Sequence, residues 1–581
     1  LYKLLLLDII IATDIGRLKI KYEGGVWVLE NDASLQIIPL GGLGEVGKNM
    51  TAFRYQDTII VIDAGLMFPE EELLGIDIVI PDITYLLENR EKVKAILLTH
   101  GHEDHVGALP YVLKEINVPV YGSRLTLGIV ERKLDEHNLS GTMLNVVKPR
   151  DSLSIGPFEI EFFRVCHSIP DAMGIALHTP LGIVVHTGDI KLDQTPVDNE
   201  LVDFRKFSEL GEKGVLVMLG DSTNADRPGF TLSERVVGNT FDELFGKCEG
   251  RIIVTTFASN VHRIQQVVST AEKYQRKVCV IGRSMVNNVQ VAMDLGYIHI
   301  PEGMLIDMED ISEYPPQEIV IVTTGSQGEP MSALTRMATA DHRWVGIEPG
   351  DTVIISANPI PGNEKLVTKT VDLLFKQGAE VVYERNMGVH VSGHAAQEEL
   401  KIILNLIRPQ YFVPVHGEYH HLIKHAKLAE NLGIPKENIF VVENGQIIEV
   451  GKNKGSLNGK VSSGRILVDG LGVGDVGNIV LRDRRQLSQE GIMIVVVTID
   501  KDKGGVLAGP DIVSRGFVYV RESEELIVDA KEKVKEALDV CAQRNVTEWA
   551  VIKSQVRERL SRHLYEKTGR RPMILPIIME V

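Results

Sequence analysis

One recurring pattern limits the fold more than any other feature of the chain. From Leu35 onward, short apolar runs rich in Val, Ile and Leu end abruptly in Gly or a polar cluster: LQIIPLGG, DTIIVIDAG, VKAILLTHGH, FEIEFFRVCHSIPD and LGIVVHTGDIK. Runs of this length and composition, bounded by turn formers, read as strands. The polar clusters fall at the strands' C-terminal ends. A rigid sheet holds loops there, and such loops are natural positions for chemistry.

From about Glu212 the texture changes. GVLVMLGDSTNA, GRIIVTTFAS, KVCVIGRSM, EIVIVTTGSQGE and DTVIISANPIPGNE read as buried strands, with helical stretches such as NVHRIQQVVSTAEKY between them. This alternation predicts a parallel sheet covered by helices. YFVPVHGEYHHLIKHAKLAENLG then returns to the first style, so the block reads as an insertion into the first domain. VENGQIIEVGKNKGSLNGKVSSG is rich in Gly, Asn and Lys and reads as hairpin and linker. The last part, with EGIMIVVVTIDK, SEELIVDAKEKVKEALDVCAQ and PMILPIIMEV, reads as a small α/β domain. The expected division is an N-terminal extension 1–32, a first domain 33–211 resumed at 386–450, an inserted block 212–385, a linker 451–465 and a C-terminal domain 466–581.

Composition matters mainly for what it excludes. A formal net charge of −17 argues against a chain that binds nucleic acid over its whole surface. A local groove or bound metal ions can still receive phosphates. The four cysteines are far apart in sequence, which argues against a disulfide framework or a cysteine zinc finger and for a reducing cytosol. The apolar stretch LYKLLLLDIIIATD is short and broken by Asp8, a poor signal peptide or membrane span. A cytoplasmic chain without a membrane partner is expected.

The densest chemistry lies in ILLTHGHEDHVGALPYVL. His100, His102, Asp104 and His105 crowd the mouth of one strand. His100 and His102, two apart in a tight loop, can face one centre, and Asp104 and His105 can turn toward a second. Neutral imidazole and carboxylate suit zinc or manganese. Two ligands do not complete a site, so the rest must come from other strand ends. His167 in VCHSIPD, Asp189 in HTGDIK and His416 in VPVHGEYH are the candidates. The full set suffices for two metals that share one carboxylate.

His-x-His-x-Asp-His, followed by His and then Asp on later strands, resembles the metallo-β-lactamase superfamily. By that resemblance His100, His102 and His167 hold one metal, Asp104, His105 and His416 hold the other, and Asp189 bridges them. GDSTNA with Asp221, HVSGHA with His394 and VPVHGE with His416 resemble the three motifs of the β-CASP nucleases. The last of these motifs carries His in RNA-acting members and Val in DNA-acting ones. IIPLGGLGEVGKNM, GLMFPEEELLGIDIVIPD, LTHGHEDHVGALPYVL, TTGSQGEPMSAL, SANPIPGNE and HVSGHA together resemble the bacterial ribonuclease J family, from about Leu35 to the C-terminus.

The resemblance implies an α/β fold: an αββα metallo-β-lactamase sandwich, an inserted parallel-sheet β-CASP domain and a small C-terminal α/β domain. It implies a two-metal ribonuclease, 5′-to-3′ exonucleolytic on 5′-monophosphorylated RNA with endonuclease activity, serving mRNA turnover and rRNA maturation. Residues His390, Val391, Ser392, Gly393 and His394 would bind substrate. The catalytic residues would be Asp104, His394 and Asp221. His394 would stabilise the transition state or protonate the leaving oxygen, and Asp221 would orient a catalytic His. A structural calcium would be held by the Leu74 and Ile76 carbonyls and Asp469. The C-terminal domain contributes no catalytic-metal ligand, and the resemblance implies that it supports self-association: a homodimer or homotetramer is expected, with a paralogue or an RNA-degradation complex as candidate partners. TTGSQGE and SANPIPGNE lack the Gly-Lys-Ser/Thr of a phosphate loop and read as strand-end turns or RNA-backbone contacts. RDRRQL and EKTGRRP read as solvated surface. The competing readings are a DNA-acting or small-ester hydrolase of the same superfamily, and a non-catalytic RNA-binding subunit.

Overall fold

The computed structural model describes residues 9–13, 16–23, 26–31 and 34–581 except 71, 330, 361, 384–386, 453, 501–505, 519–522, 545 and 547. They divide into two compact units. One comprises 1–68 and 78–466; the other comprises 69–77 and 467–581.

In the first unit two sheets face each other. One has eight strands, in the order 144–146, 120–122, 93–97, 58–62, 50–55, 35–41, 446–450, 455–460; the other has six, in the order 152–155, 158–164, 173–179, 182–186, 215–221, 411–415. Side chains alternate across a strand, so each sheet presents two different faces. Ile37, Phe53, Ile60, Ile62 and Leu97 meet Phe162, Ile175, Leu177, Val217 and Val413 in the core between the sheets. Their neighbours Ile38, Ile59, Val61, Ile96 and Leu98 pack instead on Leu109, Val112, Leu127 and Val130 of the helices Leu109–Glu115 and Arg124–Glu136. On the other side Phe163, Ala176, Val185, Met218 and Phe412 pack on Phe207, Leu400, Ile403, Leu404 and Leu428 of three further helices. The layers are α, β, β, α, as expected.

The inserted block contains a five-stranded sheet in the order 277–281, 319–323, 252–255, 352–355, 380–382. Every pair in it is parallel. Ile252, Val254, Val320 and Val322 face one helical layer, and Ile253, Ile321, Val353 and Ile355 the other. Burial on both faces explains why these strands read as continuous apolar runs.

The sequence expectation errs in two places. The strand Val215–Asp221, assigned to the inserted block, belongs to the six-stranded sheet, where it pairs in parallel with Gly182–His186 and Tyr411–Val415. It is buried along its whole length and has parallel neighbours on both sides, so its texture is that of the insert. The chain therefore leaves the six-stranded sheet after Asp221, resumes the sandwich's outer layer with the helix Gln397–Ile407, and rejoins the sheet at Tyr411, in the adjacent strand. The linker bounds 451–465 are too wide as well: the hairpin read in this stretch is present, and its second strand, Gly455–Lys460, an edge strand antiparallel to Gln446–Val450, falls inside them. Leu457, Asn458, Gly459 and Lys460 are exposed, so no apolar alternation betrays it, and Lys suits a sheet edge.

Within the expected N-terminal extension the described strands Ile9–Thr13, Gly16–Glu23 and Val26–Asn31 pair antiparallel. Residues 1–8, which carry part of its apolar stretch, lie outside the described residues. Among the described residues no helix is long and apolar enough to cross a membrane.

In the second unit, Ile492–Ile499 is the central strand, antiparallel to Val506–Arg515 and parallel to Met573–Glu580. Met493, Val495 and Val497 pack on Ala530, Val534 and Leu538 of the helix Glu524–Gln543, and on Val556 and Leu560 of Trp549–Thr568.

Candidate metal centre

Strand ends bring the candidate ligands together. His100 and His102 follow the strand Val93–Leu97, and Asp104 and His105 open the short helix Glu103–Val106. His167 follows Phe158–Arg164, Asp189 follows Gly182–His186, and His416 ends Tyr411–Val415. His416 adopts φ 54°, a left-handed conformation unfavourable for a residue with a Cβ. The chain turns there as the strand ends.

Besides an overlapping set of Asp189, Asp221, His394 and His416, the expected ligands form two groups, each with its ligand atoms within 4.8 Å of one another: His100, His102, His167 and Asp189, and Asp104, His105, His416 and Asp189. Asp189 is common to both. In the first, His102 Nδ1 lies 3.0 Å from His100 Nε2 and 3.1 Å from His167 Nε2. In the second, Asp189 lies 3.2 Å from His105 Nε2 and 3.5 Å from His416 Nε2, and Asp104 lies 3.2 Å from His416 Nε2. Donor atoms placed about 2.0–2.1 Å from a tetrahedral metal stand about 3.3 Å apart. The spacing and the donor types therefore fit a transition metal in each group.

The electrostatics agree. Burial holds His100 and His167 well below the usual imidazole range and brings His102 down to about 4, so these rings are neutral, the form that can bind a metal. In the second group burial is overcome. Asp189, Asp104 and Asp63 hold His105 well above its usual value, and Asp189, Asp104 and Asp221 bring His416 up to about 9. This is a negative field that a divalent cation would neutralise, with release of protons.

Behind the ligands stands an orienting layer. Asp63 takes the Nδ1 proton of His105 at 2.8 Å and is itself held by the Thr99 N–H and hydroxyl, each at 2.8 Å. Gly393 O accepts from His167 Nδ1 at 2.8 Å. The Thr223 hydroxyl donates to Asp221 at 2.8 Å, so it accepts from His416 Nδ1 at 2.7 Å. In all three pairs the second ring nitrogen is left with its lone pair for a metal. Gly393 must be glycine: a Cβ there would come within 2.6 Å of the His167 ring.

Asp221 and His394 lie beside the second group. Asp221 accepts from His394 Nδ1 at 2.8 Å and from the Thr223 N–H at 3.0 Å, so its oxygens are engaged in orienting other groups. Ser392 Oγ accepts from Asn224 Nδ2 at 2.8 Å and from the His394 N–H at 3.3 Å, which leaves its own O–H to donate. A further cluster, Asp226, His420 and His421, makes a poor site. The Glu418 N–H occupies Nδ1 of His421 at 3.2 Å and leaves that ring's proton on Nε2, the nitrogen nearer Asp226.

Sequence reasoning misses Asp63, Thr99, Thr223 and Asn224. Only Asp63 left a signal: it closes the apolar run TIIVID as the other polar clusters do, and it too has a left-handed φ, 62°.

Family models match this chain in order: the metallo-β-lactamase superfamily over 43–223, the ribonuclease J β-CASP domain over 249–374, the Zn-dependent metallo-hydrolase RNA specificity domain over 378–442, and the ribonuclease J C-terminal domain over 479–581. Ribonuclease J2 of Bacillus subtilis (strain 168) is 48% identical over 554 residues, covering 95% of this chain and 100% of that protein. The chain belongs to the ribonuclease J family. Ribonuclease J 2 of Staphylococcus aureus (strain MRSA252) is 44% identical over 555 residues, with the same coverage. A protein of unknown function from Enterococcus faecalis V583 shares the fold, with a TM-score of 0.53 and 19% identity over 72% of this chain and 100% of that one. Membership of the family makes the chain a metal-dependent ribonuclease.

The residues named for a structural calcium do not fit that ion. Arg484 donates to Leu74 O at 2.9 Å and to the Asp469 carboxylate. Two of the three named positions thus already face a cation of the chain's own, and a calcium placed between them would meet like charge. The cluster RDRRQL, expected as solvated surface, contributes this guanidinium. Arg484→Ala is expected to loosen the segment 69–77, seen as faster proteolysis within it, whereas added calcium should leave the melting temperature unchanged. A rise of several degrees on adding calcium would restore the ion.

Proposed function

We propose that this ribonuclease is a 5′-to-3′ exonuclease on 5′-monophosphorylated RNA with endonuclease activity, cytoplasmic, and serving mRNA turnover and rRNA maturation. One contact carries the reading: the Gly393 carbonyl, within the segment expected to hold the substrate's phosphate, accepts from the ligand His167. A terminal phosphate seated on residues 390–394 is thereby set at a fixed distance from the metal ligands, and fixed distance from an end is what an exonuclease needs. His416 in the last motif favours RNA over DNA.

Two divalent cations, zinc or manganese, held by His100, His102, His167, Asp104, His105, His416 and the shared Asp189, would supply charge neutralisation at the phosphoryl oxygens and lower the pKa of water. The chain's own groups do the rest. Asp221 fixes the His394 ring through Nδ1 and pairs with its positive charge when the ring carries both protons; Nε2–H of that form would protonate the departing oxygen or stabilise its charge, leaving the neutral ring. The Ser392 O–H and the backbone around Gly393 serve a phosphate. Self-association into a dimer or tetramer, or pairing with a paralogue, belongs to the same reading and is measured by light scattering.

The test is one RNA labelled at either end, with its 5′ end monophosphorylated, triphosphorylated or hydroxyl. Release of mononucleotides from the monophosphorylated 5′ end is expected. Degradation from the 3′ end, or indifference to the 5′ group, would sink the proposal. Ser392→Ala should reduce the preference for 5′-monophosphate over 5′-hydroxyl RNA by roughly 10- to 100-fold, about 1.5–3 kcal/mol for a hydrogen bond to a charged group. An unchanged ratio would put the phosphate elsewhere.

A further inference from the structure

Arg263, in the helix Val261–Lys273 of the inserted block, is fully buried. It is not a proposed metal ligand and does not belong to the segment 390–394. A buried guanidinium carries a large desolvation cost that an apolar side chain of similar size would avoid. Its contacts show where that charge is directed. Nε donates to Glu234 at 2.6 Å. Nη1 donates to the Ser356 carbonyl at 2.8 Å and to the Ser356 hydroxyl at 2.7 Å, and it faces His390 Nδ1 at 3.3 Å. The Ser356 hydroxyl passes its own proton to Val389 O at 2.6 Å. Nη2 is buried without a hydrogen-bond partner among the described residues. The network continues backward, for the Glu234 N–H donates to Asp193 at 3.0 Å. A chain of polar contacts thus runs from the sandwich, through Arg263, to the first residue of HVSGH.

A guanidinium has donors only. Two Nη1 hydrogens already meet the Ser356 carbonyl and hydroxyl, so the guanidinium and that carbonyl together hold the Nδ1 edge of the His390 ring in place. Burial and the charge of Arg263 hold His390 well below the usual imidazole range, and the bond to the Ser356 carbonyl does not offset them. We propose that Arg263 is a positioning residue for RNA end recognition: with Ser356 it fixes the orientation of His390, and with it the start of the segment 390–394 that meets the 5′-terminal phosphate. The inference rests on the reading of residues 390–394 as the phosphate-binding segment.

The test uses the full-length, metal-loaded protein and matched RNAs with a 5′ monophosphate or a 5′ hydroxyl. Arg263→Lys keeps the charge but cannot reach Glu234, Ser356 and His390 together. It should lower the monophosphate preference about tenfold, at the lower end of what outer-layer partners carry. The loss should appear in KM for the monophosphorylated RNA, with hydroxyl RNA cleavage and metal content little changed. Combined with His390→Ala it should cause no further loss of preference. Glu234→Gln, a smaller change that removes the charge anchoring Arg263 Nε, should move the ratio in the same direction and keeps the test alive if the lysine variant does not fold. Equal losses on both RNAs, an unchanged ratio in Glu234→Gln, or additive losses in the double variant would each overturn the proposal. If His390→Ala alone leaves the ratio unchanged, the phosphate-segment reading fails and this inference falls with it.

Discussion

Asp104→Ala is expected to abolish RNA hydrolysis while leaving the fold intact, and His102→Ala to do the same. Each side chain offers a ligand atom to one of the two groups, and neither belongs to the cores that hold the sheets together. Lewis-acid stabilisation by a metal is worth several kcal/mol, so losing one metal should cost on the order of a thousandfold or more in rate. Removing Asp104 also takes from His105 and His416 a carboxylate that favours their charge. Circular dichroism should match the unmodified protein while metal content falls. A folded, metal-poor variant that cuts RNA at the original rate would refute the ligand assignment.

The second large effect is expected at the Asp221–His394 pair. Asp221→Asn should lower kcat by roughly 10²–10⁴-fold, the range of a positioned proton donor. An amide in place of the carboxylate removes the negative charge paired with the doubly protonated His394 ring, the form that donates from Nε2 while Nδ1–H is held. His394→Ala should cost about as much, and the two changes together should cost little more than either alone. Metal content should stay unchanged in all three, because both Asp221 oxygens are engaged by Thr223 and His394 and the nearer one stands 4.0 Å from His416 Nδ1, the nitrogen turned away from the second ligand group. Loss of a metal in Asp221→Asn would instead make Asp221 a ligand.

How much of this was legible depended on whether a residue carries its own signal. His100, His102, Asp104 and His105 were visible because such a cluster has no common structural use. His167, Asp189 and His416 were visible because each ends an apolar run. Thr223 and Asn224 were not, because their role arises only when the strand Val215–Asp221 is laid beside Tyr411–Val415 and the segment 390–394. The same pairing hid the edge of the inserted block, since a strand between two parallel neighbours reads alike in either sheet. The calcium expectation failed for a related reason: main-chain oxygens leave no mark in a sequence, and nothing in RDRRQL announces that Arg484 turns toward Leu74. Arg263 shows the limit most sharply. In the sequence it is one basic residue of a helix; only its complete burial gives it meaning.

The interruption of the six-stranded sheet between Asp221 and Tyr411 also sets a timetable for synthesis. His100, His102, Asp104, His105, His167 and Asp189 leave the ribosome early, whereas His416 emerges only after the whole inserted block. At about 5–20 residues per second, the wait between Asp189 and His416 is roughly 10–50 s. Throughout that interval the second ligand group lacks one of its members, so a nascent chain cannot complete that group before the whole inserted block has been made.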